Sequence, residues 1–296
     1  MRLMRRCAFL TTDNLEGYVT DDELAWERLR ELGWAATAVS WRRRDVDWRR
    51  FEVVVIRTTW DYHLEPDAFL RALERIDASG TRLANPLPLV RWNARKTYLR
   101  DLSSRGLPVV PTLWGRSPDA GVLQRHFDEL GAEEIVVKPV ISATAYDTYR
   151  LARQDGAEKT AEIAAVFDDR DYMAQPFVAS IVGEGEISLF YFGGEYSHAV
   201  RKTPQPTDFR VQEEHGGLIE PADPPAVLIE LGRRFLAVLD HPTLYARVDL
   251  VRLADGSHAL MELELIEPSL YFRMDPGSAR RFARALDSWV TRTTAP

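Results

Sequence analysis

The segment from Tyr245 to Ile266 constrains this chain more than any other: two alternating strands, YARVDLVRL and HALMELELI, are joined by Ala254-Asp255-Gly256-Ser257. Asp-Gly between such strands is a strong hairpin signal and predicts a two-residue type I′ turn. That turn sets Ala254 opposite Ser257, Asp249 opposite Glu262 and Arg247 opposite Glu264. Side chains two apart on a strand share a face, so all four charged groups lie together. Like charges directly opposite on a sheet are destabilising, and burying them costs more unless a cation or a proton sits between them. The plainest reading is a solvated strand face. Met261, Leu263, Leu265 and Ile266 point instead to a central strand, and hard divalent cations such as magnesium take carboxylate oxygens. Asp249, Glu262 and Glu264 are therefore candidate metal ligands.

At 296 residues the chain exceeds one ordinary core, so two or three modest domains are expected. Its 45% hydrophobic and 28% charged content is that of a globular protein, and a net charge of -7 argues against duplex DNA or an anionic membrane as the main partner. A small-molecule substrate is the better expectation. The single cysteine, Cys7, makes no intramolecular disulfide and suits a reducing cytoplasm. The first residues lack the apolar core of a signal peptide, and no stretch approaches the ~20 apolar residues of a membrane helix.

Strand-length apolar runs alternate with amphipathic helices over residues 1–92, which predicts an open parallel α/β sheet. Ligands of such sheets sit beyond the carboxyl ends of the strands, here near Thr11–Asn14 and Arg57–Tyr62. Asn93 is expected to open a new helix, NARKTYLRDLSSRG, ended by Gly106, and a second unit over 93–174. Met173–Val178 reads as a linking strand into a third unit, 175–296. This unit holds a second hairpin, GEISLFYF-GG-EYSHAVRK, a long polar segment, a helix and the acidic hairpin.

Lys138 closes the strand EIVV beside the loop SATAYDT, where an ammonium group can neutralise phosphate. Read alone, it and Lys96 are ordinary solvated lysines, and the loop lacks the glycine spacing of a Walker A or Rossmann signature. A two-residue turn at Gly193-Gly194 sets Glu186 opposite Arg201, a cross-strand ion pair. The following segment, TPQPTDFRVQEEHGG, has the length and composition of a lid and contains Arg210. The six histidines show no metal-ligand spacing.

In order, these features resemble the ATP-grasp superfamily and its glutathione synthetase-like branch: a helix lysine, a strand lysine before proline, the linking strand MAQPFV, a hairpin ending in arginine, and the acids of MELELIEPS. Within it, RTTWDYH, LANPLPLVRWNARKTYL and LIEPSLYF look most like the branch containing the cyclo-ligase of D-cycloserine biosynthesis, which closes O-ureidoserine by activating its carboxylate. The resemblance implies an α/β architecture of two lobes clasping ATP behind an N-terminal domain. It places Lys96 and Lys138 on the phosphates, Gln175, Pro176, Phe177 and Val178 at adenine, and Glu186 or Glu184 on ribose. Arg201 and Arg210 fall near the γ-phosphate and the reacting carboxyl. Asp249, Glu262 and Glu264 match an Asp, Glu, Asn set that holds two magnesium ions, with glutamate in place of the asparagine. Arg57, Asp61, Tyr62 and Tyr271 are the candidates for holding an amino-acid-like substrate. The implied activity is carboxylate–nitrogen ligation through an acyl phosphate, in the cytoplasm, by a homodimer or homotetramer. A nucleotide-binding regulatory protein and a small-molecule kinase are the competing readings.

Overall fold

The computed structural model describes residues 4–206 and 208–292. The N-terminal unit runs β1 (Arg5–Thr11), α1 (Asp22–Glu31), β2 (Trp34–Ser40), β3 (Val53–Thr58), α2 (Pro66–Ala78) and β4 (Arg82–Ala84). Its strands form a parallel sheet in the order β2-β1-β3-β4. Every residue of β3 is buried, as expected of a parallel strand covered on both faces. The Cys7 thiol lies in this core, and burial pushes its pKa up to about 12, which makes it a packing group rather than a nucleophile.

The expected helix from Asn93 to Gly106 is instead two short ones, α3 (Leu87–Asn93) and α4 (Tyr98–Ser104). Pro88 sits in the first turn of α3, where its missing N–H costs nothing. The Asn93 side chain leaves its helix to pair with a strand, donating to the Leu263 carbonyl at 2.8 Å and accepting from the Leu265 N–H at 3.0 Å. Lys96 therefore stands in a break, its own N–H donated to the Val140 carbonyl at 2.8 Å.

A middle unit follows: β5 (Leu113–Arg116), α5 (Ala120–Leu130), β6 (Glu134–Pro139), β7 (Tyr149–Ala152), α6 (Ala157–Val166) and β8 (Asp171–Pro176). Its antiparallel sheet has the order β5-β8-β6-β7 and packs on α5 and α6 through Leu123, Phe127, Ile135, Val137, Ile163 and Phe167. After α7 (Ser180–Gly183) come β9 (Glu186–Phe192), β10 (Glu195–Thr203), β11 (Leu218–Ala222), α8 (Ala226–Ala237), β12 (Tyr245–Arg252), β13 (His258–Glu264) and α9 (Ser278–Arg292). The third sheet is antiparallel, ordered β11-β10-β9-β12-β13. Helix α9 returns to pack on α1, and Phe282 and Leu286 share one core with Phe9 and Trp34 of the first sheet and Phe190 of the third. Among the described residues no helix is long and apolar enough to cross a membrane.

Strand β13 is at the sheet edge rather than central, but its edge is covered. Besides Asn93, the Tyr98 hydroxyl accepts from the Leu263 N–H at 3.0 Å, and Leu260 exchanges backbone bonds with Pro108 and Val110. Of the apolar residues that suggested a central position, Leu263 and Leu265 pack in the core beneath this cover. The turn also differs from expectation. Leu253 N–H donates to the Ser257 carbonyl and Gly256 N–H to the Leu253 carbonyl, giving a three-residue loop with Gly256 at φ +85° and neither Ala254 nor Asp255 left-handed. A bulge at Met261 then moves the register by one, so Asp249 still faces Glu262 and Arg247 still faces Glu264.

Candidate active site

A cleft of about 1450 Å³, counting its open mouth, collects residues from all three units. The N-terminal unit contributes Trp60 and Tyr62, the α3–α4 break Lys96, the middle sheet Lys138 and Gln175–Val178, and the third sheet Glu186, Lys202, Arg247, Asp249, Glu262 and Glu264.

Each acid of the predicted metal set faces a side-chain cation, and among the described residues no group of three acids or histidines converges on one point. Asp249 accepts from Ser188 Oγ at 2.6 Å and from Arg247 at 2.9–3.1 Å, and pairs with Lys202 at 3.1 Å. Burial alone would raise its pKa, but these cations hold it well below the usual carboxylate range. Glu262 pairs with Lys96 and Glu264 with Arg247. The predicted Arg247–Glu264 contact is thus present, although the same guanidinium also holds Asp249. Burial and the neighbouring Glu262 and Asp249 push Glu264 up to about 7 against the pull of Arg247. Glu262 and Glu264 are each engaged through a single oxygen, Oε1, and keep a quarter of the side chain exposed, so they fit a hard cation. Asp249 has both oxygens bound and is buried, and fits one less well.

Lys138 is the odd cation. It is buried, and its ammonium has no ion pair among the described residues, its one hydrogen-bond contact being Met261 Sδ at 4.0 Å. Burial, aided by Lys96, lowers its pKa to about 8 despite the pull of Glu262. A buried ammonium without an acid partner fits an anionic ligand. The loop beside it reaches the cleft through Ser142–Ala145 without glycine, with Thr144 and Ala145 in left-handed backbone at φ +52° and +55°.

At the hinge, Pro176 has no N–H and Phe177 N–H is already given to the Glu134 carbonyl at 2.8 Å, which leaves the amide of Val178 for a ligand. The lid segment folds over this end. His215 Nε2 donates to the Thr144 carbonyl at 3.0 Å, Glu213 pairs with Arg273 at 2.5 Å, and Asp208 holds the Arg210 guanidinium at 2.7 Å. The arginine bonds in turn bring Asp208 down to about 2.

The other predicted residues divide. Tyr62 and Tyr271 line the cleft, Tyr271 from left-handed backbone at φ +46°. Arg57 does not; it is buried against Asp22 at 3.0 Å and donates to the Pro268 carbonyl at 3.1 Å. Asp61 is consumed by Thr12, Trp41 and Arg42. Glu184 is exposed toward Arg252, 3.4 Å away. Arg201 faces outward opposite Glu220 of β11, because a bulge at Ser197 shifts β10 by one and sets Lys202, not Arg201, opposite Glu186. Lys202 was missed: buried between Glu186 at 2.5 Å and Asp249 at 3.1 Å, it occupies the place expected of Arg201. Its adjacency to Arg201 was the available signal. Glu267, also in the cleft, was missed as well; an acid directly before Pro268, three residues past Glu264, was the clue.

Residues 7–85 match the family described as "D-cycloserine synthetase DcsG, N-terminal domain". The chain is 37% identical to the cycloserine biosynthesis protein DcsG of Streptomyces lavendulae, over 88% of this chain and 90% of that one. The crystal structure of D-cycloserine synthetase DcsG superposes with a TM-score of 0.86 at 34% identity, covering 96% of this chain and 99% of that one. D-alanine–D-alanine ligase of Bacillus anthracis shares the fold at a TM-score of 0.68 and 15% identity, covering 98% of each chain.

Proposed function

Because the chain belongs to the DcsG family of ATP-grasp proteins, we propose that it is an ATP-dependent ligase that closes an amino-acid derivative into a ring through an acyl phosphate, releasing ADP and phosphate. The observation that carries the ATP side of this reading is Lys138, a buried cation with no acid partner among the described residues, in the same cleft as Lys96 and the two accessible glutamates. The substrate carboxylate attacks the γ-phosphorus, and a nitrogen of the same molecule then displaces phosphate from the acyl carbon.

Lys96 and Lys138 bind and screen the phosphate oxygens. The Val178 amide meets adenine, and Glu186 is placed for the ribose hydroxyls. Lys202, rather than Arg201, is the buried cation near the transferring group, and Arg210, aimed by Asp208, stabilises the oxyanion that forms at the carboxyl. The lid keeps water from the acyl phosphate, which would otherwise hydrolyse. Magnesium, held by Glu262 and Glu264, supplies further charge neutralisation when bound.

Incubation with ATP, magnesium and D- or L-O-ureidoserine tests the proposal. ADP together with a cyclic product, and transfer of ¹⁸O from the labelled carboxylate to phosphate, is the expected result. ADP with a stable phosphoester would establish a kinase, and nucleotide binding without turnover a non-catalytic protein. Glu262→Gln is expected to lower turnover by about 10³-fold or more.

A further inference from the structure

Two acids of the cleft have neither an ion pair nor a hydrogen bond to their carboxylates among the described residues: Glu214, exposed on the lid, and Glu267, half-buried in the wall. The backbone around Glu267 is unusually well fixed. Asn85 donates to the Leu265 carbonyl at 2.8 Å, Tyr245 to that of Ile266 at 2.8 Å, Trp60 to that of Glu267 at 2.9 Å and Arg57 to that of Pro268 at 3.1 Å. Four successive carbonyls are thus held by four different side chains, three of them from the N-terminal part of the chain. The Glu267 side chain is presented from a rigid frame, and among the described residues no cation forms an ion pair with it.

Its surroundings specify what would. Burial and the charges of Glu264 and Glu262 drive the carboxyl pKa well above the usual range, outweighing Lys96 and Arg247. Trp60, Tyr62 and Tyr271 line the cleft together with Glu267, and aromatic faces attract cations. Ser269, two residues on, adds a hydroxyl. The carbonyl bond from Trp60 ties this wall to the N-terminal unit, whereas Lys138 belongs to the middle unit. The cleft therefore holds a cation and an acid, carried by different units, that have no ion pair among the described residues.

We propose that Glu267 binds the ammonium group of an amino-acid substrate, with Ser269 and the aromatic side chains completing the subsite, and so selects zwitterions over simple carboxylic acids. This rests on the ligase reading for the fate of the carboxylate, but ammonium binding is measured separately. The test is calorimetric binding, in the presence of magnesium and a non-hydrolysable ATP analogue, of O-ureidoserine and of its counterpart with hydrogen in place of the amine. Wild type is expected to favour the amine by about 100-fold, and Glu267→Gln to reduce that preference to about threefold or less. Glu267→Asp should recover part of it. Melting temperature and affinity for the ATP analogue verify that the variants are folded.

An unchanged preference in Glu267→Gln overturns the proposal. So does a wild type that binds neither O-ureidoserine, serine nor cycloserine, or a variant whose sole defect is a raised magnesium requirement. Amine-selective binding that depends on Glu267, without ADP release, would sink the ligase reading and leave this subsite standing.

Discussion

The β9–β10 and β12–β13 hairpins invite the same count and answer it differently. At Gly193-Gly194 the two-residue turn is real, with both glycines left-handed, but one bulge at Ser197 displaces everything beyond it and exchanges Arg201 for Lys202 at the cleft. At Asp255-Gly256 the turn is longer than expected, and the bulge at Met261 restores the register, so the acids meet their partners after two departures that cancel. Because side chains alternate along a strand, an odd number of slips inverts a face and an even number preserves it. Register counted outward from a turn therefore identifies a functional face only when the bulges are also known.

Lys202→Met should break the comparison most severely. It leaves Glu186 and Asp249 buried with one cation fewer, and is expected to cost about 3–5 kcal/mol in chemical denaturation; a loss below 1 kcal/mol would place Lys202 on the solvent face after all. Next is a pH effect of the Ser197 bulge, which turns His198 inward. There the ring stacks on Phe190 with centroids 4.3 Å apart and donates from Nε2 to the Leu270 carbonyl at 3.0 Å. Burial lowers its pKa from 6.5 to about 4. The unfolded chain therefore takes up the proton first: the stability contribution is intact above about pH 6.5 and is lost as pH falls toward 4, by about 3 kcal/mol in all. His198→Phe should flatten that part of the acid limb in urea melts recorded between pH 7 and 4, and an unaltered limb would refute the assignment.

Smaller effects sharpen the acidic hairpin. Gly256→Ala places a side chain at φ +85° with open space around it, so backbone strain alone should cost about 1 kcal/mol. Asp255→Ala should cost less, since a three-residue loop needs only one left-handed residue, whereas a type I′ turn would penalise both. Arg201→Met should fall within about 0.5 kcal/mol of wild type and leave turnover intact, the control for Lys202→Met.

Where function depends on a residue's type and its place at the end of a strand, the sequence was informative. Lys138 before Pro139, the alternating acids of β13 and the parallel sheet of the first ninety residues are all legible as patterns of polarity. What the pattern withholds is competition for partners. Arg57 and Asp61 lie where ligands are expected beyond the strands, yet Asp22, Trp41 and Arg42, distant in sequence, claim them first. Lys96 reads as helical because its neighbours have helical periodicity, but Asn93 prefers the edge of β13 and the helix breaks there. Such outcomes depend on contacts between segments far apart in sequence, which no short window along the chain contains.

The four clamped carbonyls at Leu265–Pro268 have a consequence for how this enzyme class could be re-specialised. The wall that carries Glu267 is aligned by an external jig, with Asn85, Trp60 and Arg57 as its pins. Exchanging the N-terminal unit between relatives would therefore transplant alignment as well as surface, and a graft that preserved every cleft residue but lost those three pins would hold the right chemistry out of true.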